Sequence, residues 1–307
     1  MKRDQSSITA EGIALLRAME SEKSEEERIC YDPLAKYLCS PWLDFTARFF
    51  MKIGYAERRG PGVQGFLVAR TRYIDDHVQS CLHDSIRQLV ILGAGYDTRA
   101  YRIKGLRERV KVFEVDHPAT QQVKIARLKK ALGALPSHVV YVPIDFDRET
   151  LDGRLAQSGY DPKLKTLFIW EGVAYYLSPD AVDRTLSFVA HSSGPDSSII
   201  FDYTYRSVIE GTIRRGEVRS MRRSRPFTGE ALIFGIPEGG IEEFLRARGF
   251  DLVENVTGED LKRMYFTGAN ARRQVAPVYA IAIAAVRSES YSPRAASNAS
   301  RVSPASQ

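Results

Sequence analysis

Two glycines and one aspartate are the residues whose types and spacing best suit ligand binding. Gly93 and Gly95, separated by one alanine, follow the apolar run 89–92, which is typical of a strand buried on both faces. Without Cβ atoms, the backbone there can turn sharply and approach a ligand closely. A second, alternating run over residues 110–115 ends on Asp116, whose carboxylate could accept hydrogen bonds from both hydroxyls of a ribose. The pattern predicts a nucleoside-binding site.

The residues after the glycines discriminate between two classes of nucleoside cofactor. A dinucleotide fingerprint requires a third glycine, so that the N-terminus of the next helix can face the pyrophosphate. Here that region holds Asp97, Thr98 and Arg99. The carboxylate of Asp97 would repel a pyrophosphate but not the sulfonium cation of S-adenosylmethionine. Charge therefore favours S-adenosylmethionine over a nicotinamide dinucleotide.

Three sequence blocks in order, LGAGYDTRAYR, FEVDHP and WEGVAYYLSP, carry a resemblance to a known family. From about Thr9 to Ala285 the chain resembles the leucine carboxyl methyltransferases, whose bacterial members include many polyketide and natural-product O-methyltransferases. The resemblance implies S-adenosylmethionine as the cofactor and places Arg17 near its methionine end. Carried over by position, it implies cofactor contacts by Arg70 at the methionine carboxylate, Gly93 and Gly95 in the loop, Asp116 at the ribose, Asp145 and Phe146 around the adenine, and Glu171 at the next strand end.

Strands and helices alternate from Leu89 onward, which is typical of a parallel sheet with crossover helices. The fold we expect is α/β, of the class I methyltransferase (Rossmann-like) type. Long helices are expected over 63–82 and 241–248. We expect parallel strands near 88–92, 110–115, 138–143, 166–170 and 198–203, and a closing antiparallel pair near 252–256 and 278–286.

This arrangement predicts both the site and the division of the chain. Ligands in open parallel sheets bind outside the carboxyl ends of the strands, and Gly93, Asp116, Asp145 and Glu171 each lie at or just past such an end. Residues 1–84 are expected to form a helical cap. Residues 85–287 would form the cofactor-binding methyltransferase domain, one structural unit with the cap, and residues 288–307 a disordered tail.

Composition excludes several classes of protein. The chain has 307 residues, 44% hydrophobic and 27% charged, an ordinary globular balance. We expect no membrane association, because no apolar run approaches the roughly twenty residues of a membrane span. The three cysteines lack metal-ligand spacing, so we expect a cytoplasmic protein with free thiols and no metal.

The net charge of +6 is modest for this length and does not favour a nucleic-acid partner. Its excess is concentrated in six arginines between Arg214 and Arg225. Two interpretations of this segment stay open. It is either a solvated surface or an arginine-rich lid that draws in a carboxylate or phosphate.

Methyl transfer from a sulfonium is an in-line displacement, so the protein must mainly align the acceptor in a site without water. A carboxylate acceptor is already nucleophilic, whereas a phenol would need a base such as His77, His117 or His191. We therefore expect an O-methyltransferase acting on a carboxyl or phenolic oxygen of a small molecule, in secondary metabolism. Alternatives are a protein C-terminal carboxyl methyltransferase, an RNA-binding or RNA-modifying module, and a nicotinamide oxidoreductase. The sequence determines neither the acceptor nor the oligomeric state.

Overall fold

A single mixed sheet organises the chain. The computed structural model describes residues 8–52, 54–145, 149–212 and 231–287. Its seven-stranded sheet has the order β3-β2-β1-β4-β5-β7-β6. The strands are β1 (Gln88–Leu92), β2 (Lys111–Asp116), β3 (Val139–Pro143), β4 (Thr166–Trp170), β5 (Ser198–Thr204), β6 (Phe250–Thr257) and β7 (Tyr279–Val286).

The strand predictions are confirmed. β1 to β5 pair in parallel, and β7 pairs antiparallel with both β5 and β6. Each strand lies within about two residues of its predicted bounds. The apolar run 89–92 forms the central strand β1 together with Gln88, and the strand is fully buried. A mostly parallel sheet that ends in an antiparallel pair is the expected class I methyltransferase fold.

Helices pack on both faces of the sheet. They are α1 (Ile8–Ser21), α2 (Pro41–Lys52), α3 (Tyr55–Arg59), α4 (Val63–His83), α5 (Arg99–Arg102), α6 (Leu106–Arg109), α7 (Pro118–Leu132), α8 (Leu151–Gln157), α9 (Pro179–His191), α10 (Arg206–Glu210), α11 (Ile241–Arg246) and α12 (Gly258–Tyr265). Short 3₁₀ helices span Ala35–Leu38, Ala174–Tyr176 and Gly268–Asn270. The helix predicted over 63–82 is confirmed as α4, and α11 ends two residues before the predicted residue 248.

Alternation along β1 divides the core into two layers. Leu89 and Ile91 pack into one cluster, which also contains Ile74 of α4, whereas Val90 and Leu92 pack into the cluster on the opposite face. Successive side chains of a strand point to opposite faces, so a central strand buried on both faces is apolar on both, as residues 89–92 of β1 are. Helix α4, which precedes the first strand, thus shares a core with the sheet.

Several predictions fall on parts of the chain that the structure does not describe. Phe146, the arginines between Arg214 and Arg225, and the tail 288–307 all lie outside the described residues. Within the described ranges, none of the helices combines the length and apolar character that crossing a bilayer requires. In the same ranges, His, Cys, Asp and Glu side chains form no group of three or more suited to a metal ion.

Candidate functional site

One cavity of about 460 Å³ lies at the carboxyl ends of the parallel strands. Its lining includes six of the seven predicted cofactor residues: Arg70, Gly93, Gly95, Asp116, Asp145 and Glu171. The seventh, Phe146, lies outside the described residues. The structure therefore brings together residues from α4 and from four different strand ends. The volume of the cavity they line is within the range of small-molecule binding sites.

The loop after β1 requires glycine at both predicted positions. Gly93 has a φ of +67°, and a Cβ there would lie 2.5 Å from Val173 Cγ2. Gly95 has a φ of +43°, and its Cβ would lie 3.3 Å from Ala10 Cβ in α1. Any other residue at these positions would have a strained backbone, and its side chain would crowd Val173 or Ala10. The glycine loop therefore packs closely against Val173 and against Ala10 of α1, both of which line the cavity.

Asp116 is held by this loop at the end of β2. Its Oδ2 accepts a hydrogen bond from the Gly95 N–H, and its Oδ1 accepts one from the His117 N–H at 2.6 Å. Burial raises the pKa of Asp116, and these two N–H groups oppose the shift without cancelling it. A buried carboxylate facing a cavity gains from further donors, which the hydroxyls of a ribose would supply.

Arg70 lies on the floor of the cavity with 1% of its side chain exposed. Its Nε donates to Glu171 Oε1 at 2.8 Å, and its Nη1 donates to Asp202 Oδ2 at 2.5 Å and to the Tyr175 hydroxyl at 3.3 Å. Burial alone would lower the pKa of Arg70, but Asp202 and Glu171 raise it well above its ordinary value. The guanidinium is therefore a permanent, rigidly oriented cation beside the cavity.

Asp202 and Arg99 belong to the same network and were missed at the sequence level. Asp202 is fully buried in β5, where its Oδ1 accepts from the Gly172 N–H at 2.6 Å. The available signal was a single acid inside the otherwise uncharged strand SIIFDYT, because a buried charge requires a partner. Arg99 donates to Glu171 Oε2 at 2.6 Å and to Asp75 Oδ1 at 2.7 Å.

The charged residues of α4 other than Arg70 form two groups. Arg72 and Asp76 pair with each other at 2.8 Å on the exposed face, as the pattern on the helix suggests. Asp75 instead faces inward and binds Arg99 and Arg102. One side of the helix thus supports the ion pairs beneath the cavity.

The N-terminal helix closes one side of the cavity. Thr9, Ala10, Ile13 and Arg17 of α1 all contribute to the lining. The placement of Arg17 beside the cavity agrees with the family resemblance, although its guanidinium binds Asp32 at 2.8 Å. The cavity is therefore formed jointly by the helical cap and the sheet.

The three candidate histidine bases and the tyrosines near the strand ends differ in whether they line the cavity. His117 lines the cavity, and its Nδ1 accepts from the Ala119 N–H at 3.3 Å. His77 and His191 lie elsewhere and contact Cys81 and Ser187 on their own helices. Among the described residues, Tyr96 and Tyr176 line the cavity, whereas Tyr175, Tyr203 and Tyr205 lie outside its lining.

The charges that line the cavity suit a cationic cofactor. Of the described residues, Asp97, Asp116, Asp145 and Glu171 contribute carboxylates, against the guanidiniums of Arg17 and Arg70. A phosphate-rich dinucleotide would meet an excess of negative charge, whereas a sulfonium and an ammonium group would be attracted. The residues present therefore fit S-adenosylmethionine.

The fold and this site define a class I S-adenosylmethionine-dependent methyltransferase. The chain belongs to the leucine carboxyl methyltransferase family, whose model matches residues 10–190. Family membership confirms the predicted enzyme class and cofactor.

Relatives and solved structures agree with this assignment. YktD of Bacillus subtilis strain 168 is 29% identical over 87% of this chain and 93% of its own. SCO7813 of Streptomyces coelicolor is 34% identical over 66% of this chain and 70% of its own. Both relatives are provisionally named S-adenosyl-L-methionine-dependent methyltransferases. A crystal structure from Thermobifida fusca YX, provisionally titled a methyltransferase, has a TM-score of 0.57 and 17% identity over 93% of this chain and 97% of its own, and shows the same fold.

Proposed function

We propose that this enzyme transfers the methyl group of S-adenosylmethionine to a carboxyl or phenolic oxygen of a small molecule, in secondary metabolism. The proposal rests on one observation, the shared cavity of Arg70, Asp116 and Glu171 under the cap helix α1. Asp116 would accept from the ribose hydroxyls, and Arg70 would orient the methionine carboxylate. When bound, the cofactor would supply an activated methyl group.

The apolar part of the cavity lining supports a small and partly apolar substrate. Ile13, Val173, Tyr176 and Leu177 provide apolar surface beside the charged residues. Such surface excludes water, which would otherwise compete with the acceptor oxygen. The resemblance to a family whose bacterial members include natural-product O-methyltransferases supports a secondary metabolite as the acceptor of this enzyme.

Calorimetry with S-adenosylhomocysteine, the demethylated cofactor, tests the cofactor site. We expect the wild type to bind and Asp116→Ala to lose at least about tenfold in affinity, since hydrogen bonds to a charged group contribute roughly 1.5–3 kcal/mol. Unchanged affinity in the variant would contradict the assigned ribose contact.

The acceptor is tested separately with purified enzyme and S-adenosylmethionine. Phenolic and carboxylic small molecules are screened by mass spectrometry for the gain of one methylene unit. His117→Gln distinguishes the two chemistries, because loss of a general base lowers a phenol reaction by roughly 10²–10⁴ and leaves a carboxylate reaction unchanged. Methylation of a peptide ending in leucine, without any small-molecule product, would instead indicate a protein carboxyl methyltransferase.

A further inference from the structure

A buried aspartate joins the helical cap to the glycine loop. Asp32 precedes the 3₁₀ helix Ala35–Leu38 and is fully buried. Its Oδ1 accepts from the N–H groups of Leu34 at 3.2 Å and Ala35 at 3.1 Å. The same oxygen accepts from the Thr98 hydroxyl at 2.7 Å, across 66 residues of sequence. Thr98 is the last residue of the loop between β1 and α5, so the cap carboxylate reaches the cofactor side of the sheet.

Arg17 makes a second connection between the same two parts. Its Nε donates to Asp32 Oδ2 at 2.8 Å, and its Nη2 donates to the Tyr96 carbonyl at 2.5 Å. Burial alone would raise the pKa of Asp32, but Arg17 and Arg102 lower it below its ordinary value, so Asp32 stays charged at neutral pH. Asp32 therefore reaches the loop directly through Thr98 and indirectly through Arg17.

These contacts fall at the C-terminal end of the glycine loop, where Asp97 also pairs with Arg99 at 2.5 Å. The loop from Gly93 to Thr98 contains two glycines and no regular secondary structure, so ordering it costs conformational entropy. Its own hydrogen bonds include Ala94 N–H to the Val115 carbonyl at 2.9 Å and Asp97 N–H to the Ala94 carbonyl at 2.8 Å. Contacts on Tyr96 and Thr98 fix the other end of the loop and thereby orient the Gly95 N–H toward Asp116.

We propose that Asp32 is a positioning residue for the cofactor loop. Through Thr98 and Arg17 it holds the loop in the conformation that binds S-adenosylmethionine, and it couples docking of the cap to cofactor affinity. The proposal rests on cofactor binding in the cavity and is independent of the acceptor.

Thr98→Val tests this role because it keeps the shape of the side chain and removes the hydroxyl, which donates to Asp32 Oδ1 and accepts from Arg102 Nε at 3.0 Å. We expect the dissociation constant for S-adenosylhomocysteine to rise about tenfold, and Thr98→Ser to restore it to within about twofold. Asp32→Asn should weaken binding at least as much. With saturating cofactor, kcat should stay within about threefold of wild type while KM for the cofactor rises.

Thr166→Val is the matched control. Thr166 is equally buried and its hydroxyl donates to the Leu164 carbonyl at 3.0 Å, but it begins β4 at the opposite end of the sheet from the cavity. A general loss of stability would affect both threonine variants, whereas a positioning role predicts weaker cofactor binding in Thr98→Val alone. Hydrogen exchange should also become faster in residues 30–38 of Thr98→Val, across the broken contact.

The outcomes separate the two proposals. Wild-type affinity in Thr98→Val, or an equal loss in Thr166→Val, would overturn the positioning role while leaving the proposed function intact. Failure of the wild type itself to bind S-adenosylhomocysteine would overturn both. If Asp32→Asn does not fold, the threonine variants still decide.

Discussion

Glu171 divides its carboxylate between two arginines from different parts of the chain. Oε1 accepts from Arg70 Nε at 2.8 Å, and Oε2 accepts from Arg99 Nη1 at 2.6 Å. Arg70 comes from α4, which precedes the sheet, and Arg99 comes from α5, which follows the glycine loop. The Glu171 carboxylate, one residue past the end of β4, therefore connects the cap, the loop and the sheet beneath the cofactor cavity.

This arrangement makes stability depend on pH. Burial alone would raise the pKa of Glu171, but Arg99 and Arg70 lower it from 4.5 to about 2. A carboxyl group with a lowered folded pKa stabilises the protein above its unfolded value and loses that contribution as the pH falls. We expect Glu171 to contribute about 3 kcal/mol at neutral pH, lost between pH 4.5 and about 2.

Urea unfolding of the wild type and Glu171→Gln at several pH values measures this contribution. The difference in unfolding free energy between the two proteins should shrink steadily as the pH falls below 4.5. The comparison removes the effect of the other carboxylates, which both proteins share. A difference that does not change with pH would show that the ion pairs do not lower the pKa of Glu171.

Asp202→Asn should destabilise the protein strongly. The substitution keeps a carbonyl oxygen for the Gly172 N–H but removes a negative charge 2.5 Å from Arg70 Nη1. Breaking a buried ion pair costs about 3–5 kcal/mol, because the remaining charge loses its compensation. The free energy of unfolding in urea should fall by that amount.

An exposed pair provides the control for this substitution. Asp251 and Arg287 lie 2.9 Å apart with 62% and 40% of their side chains exposed. Asp251→Asn should change the free energy of unfolding by less than about 1 kcal/mol. Equal effects in the two variants would mean that the buried network contributes no more than a surface pair.

The sequence predicted the sheet well because each strand carries a local signal. β1 is an apolar run that stops at a glycine, and β2 alternates until Asp116. The strand-end rule then brought Gly93, Asp116, Asp145 and Glu171 to one edge without any knowledge of side-chain contacts.

The ionic network beneath the site could not be predicted in the same way. Arg70 and Asp202 are 132 residues apart, and they meet because α4 packs across the sheet and β5 lies beside β4. Asp32 and Thr98 likewise meet through tertiary packing. Charges on a helix or inside a strand reveal that partners are needed, but their identity depends on how the elements pack.

Gly93→Ala should impair both stability and cofactor binding. A Cβ at this position combines a positive φ of +67° with a contact of 2.5 Å to Val173 Cγ2. Gly133 supplies the control, since its φ is +78° and a Cβ there meets nothing within 4 Å. We expect about 1–2 kcal/mol of destabilisation from the backbone in Gly133→Ala and about 1–3 kcal/mol more in Gly93→Ala from overpacking.

Urea unfolding of both alanine variants and calorimetry with S-adenosylhomocysteine test this prediction. Val173→Ala, added to Gly93→Ala, should recover part of the excess destabilisation because it removes the Cγ2 atom from the contact. If Gly93→Ala were no less stable than Gly133→Ala, the close approach of the loop to Val173 would be refuted.

Arg70→Lys should weaken cofactor binding although it conserves the charge. The guanidinium of Arg70 bonds simultaneously to Glu171, Asp202 and Tyr175 through nitrogens in one plane. A lysine carries its donors on one flexible ammonium group and cannot reproduce that orientation. We expect at least about a tenfold rise in the dissociation constant for S-adenosylhomocysteine. Arg72→Lys, on the exposed face of the same helix, should leave binding within about twofold, because Arg72 pairs with Asp76 at the surface and does not line the cavity. Equal binding by both lysine variants would show that charge alone, and not the planar geometry of Arg70, supports the cofactor site.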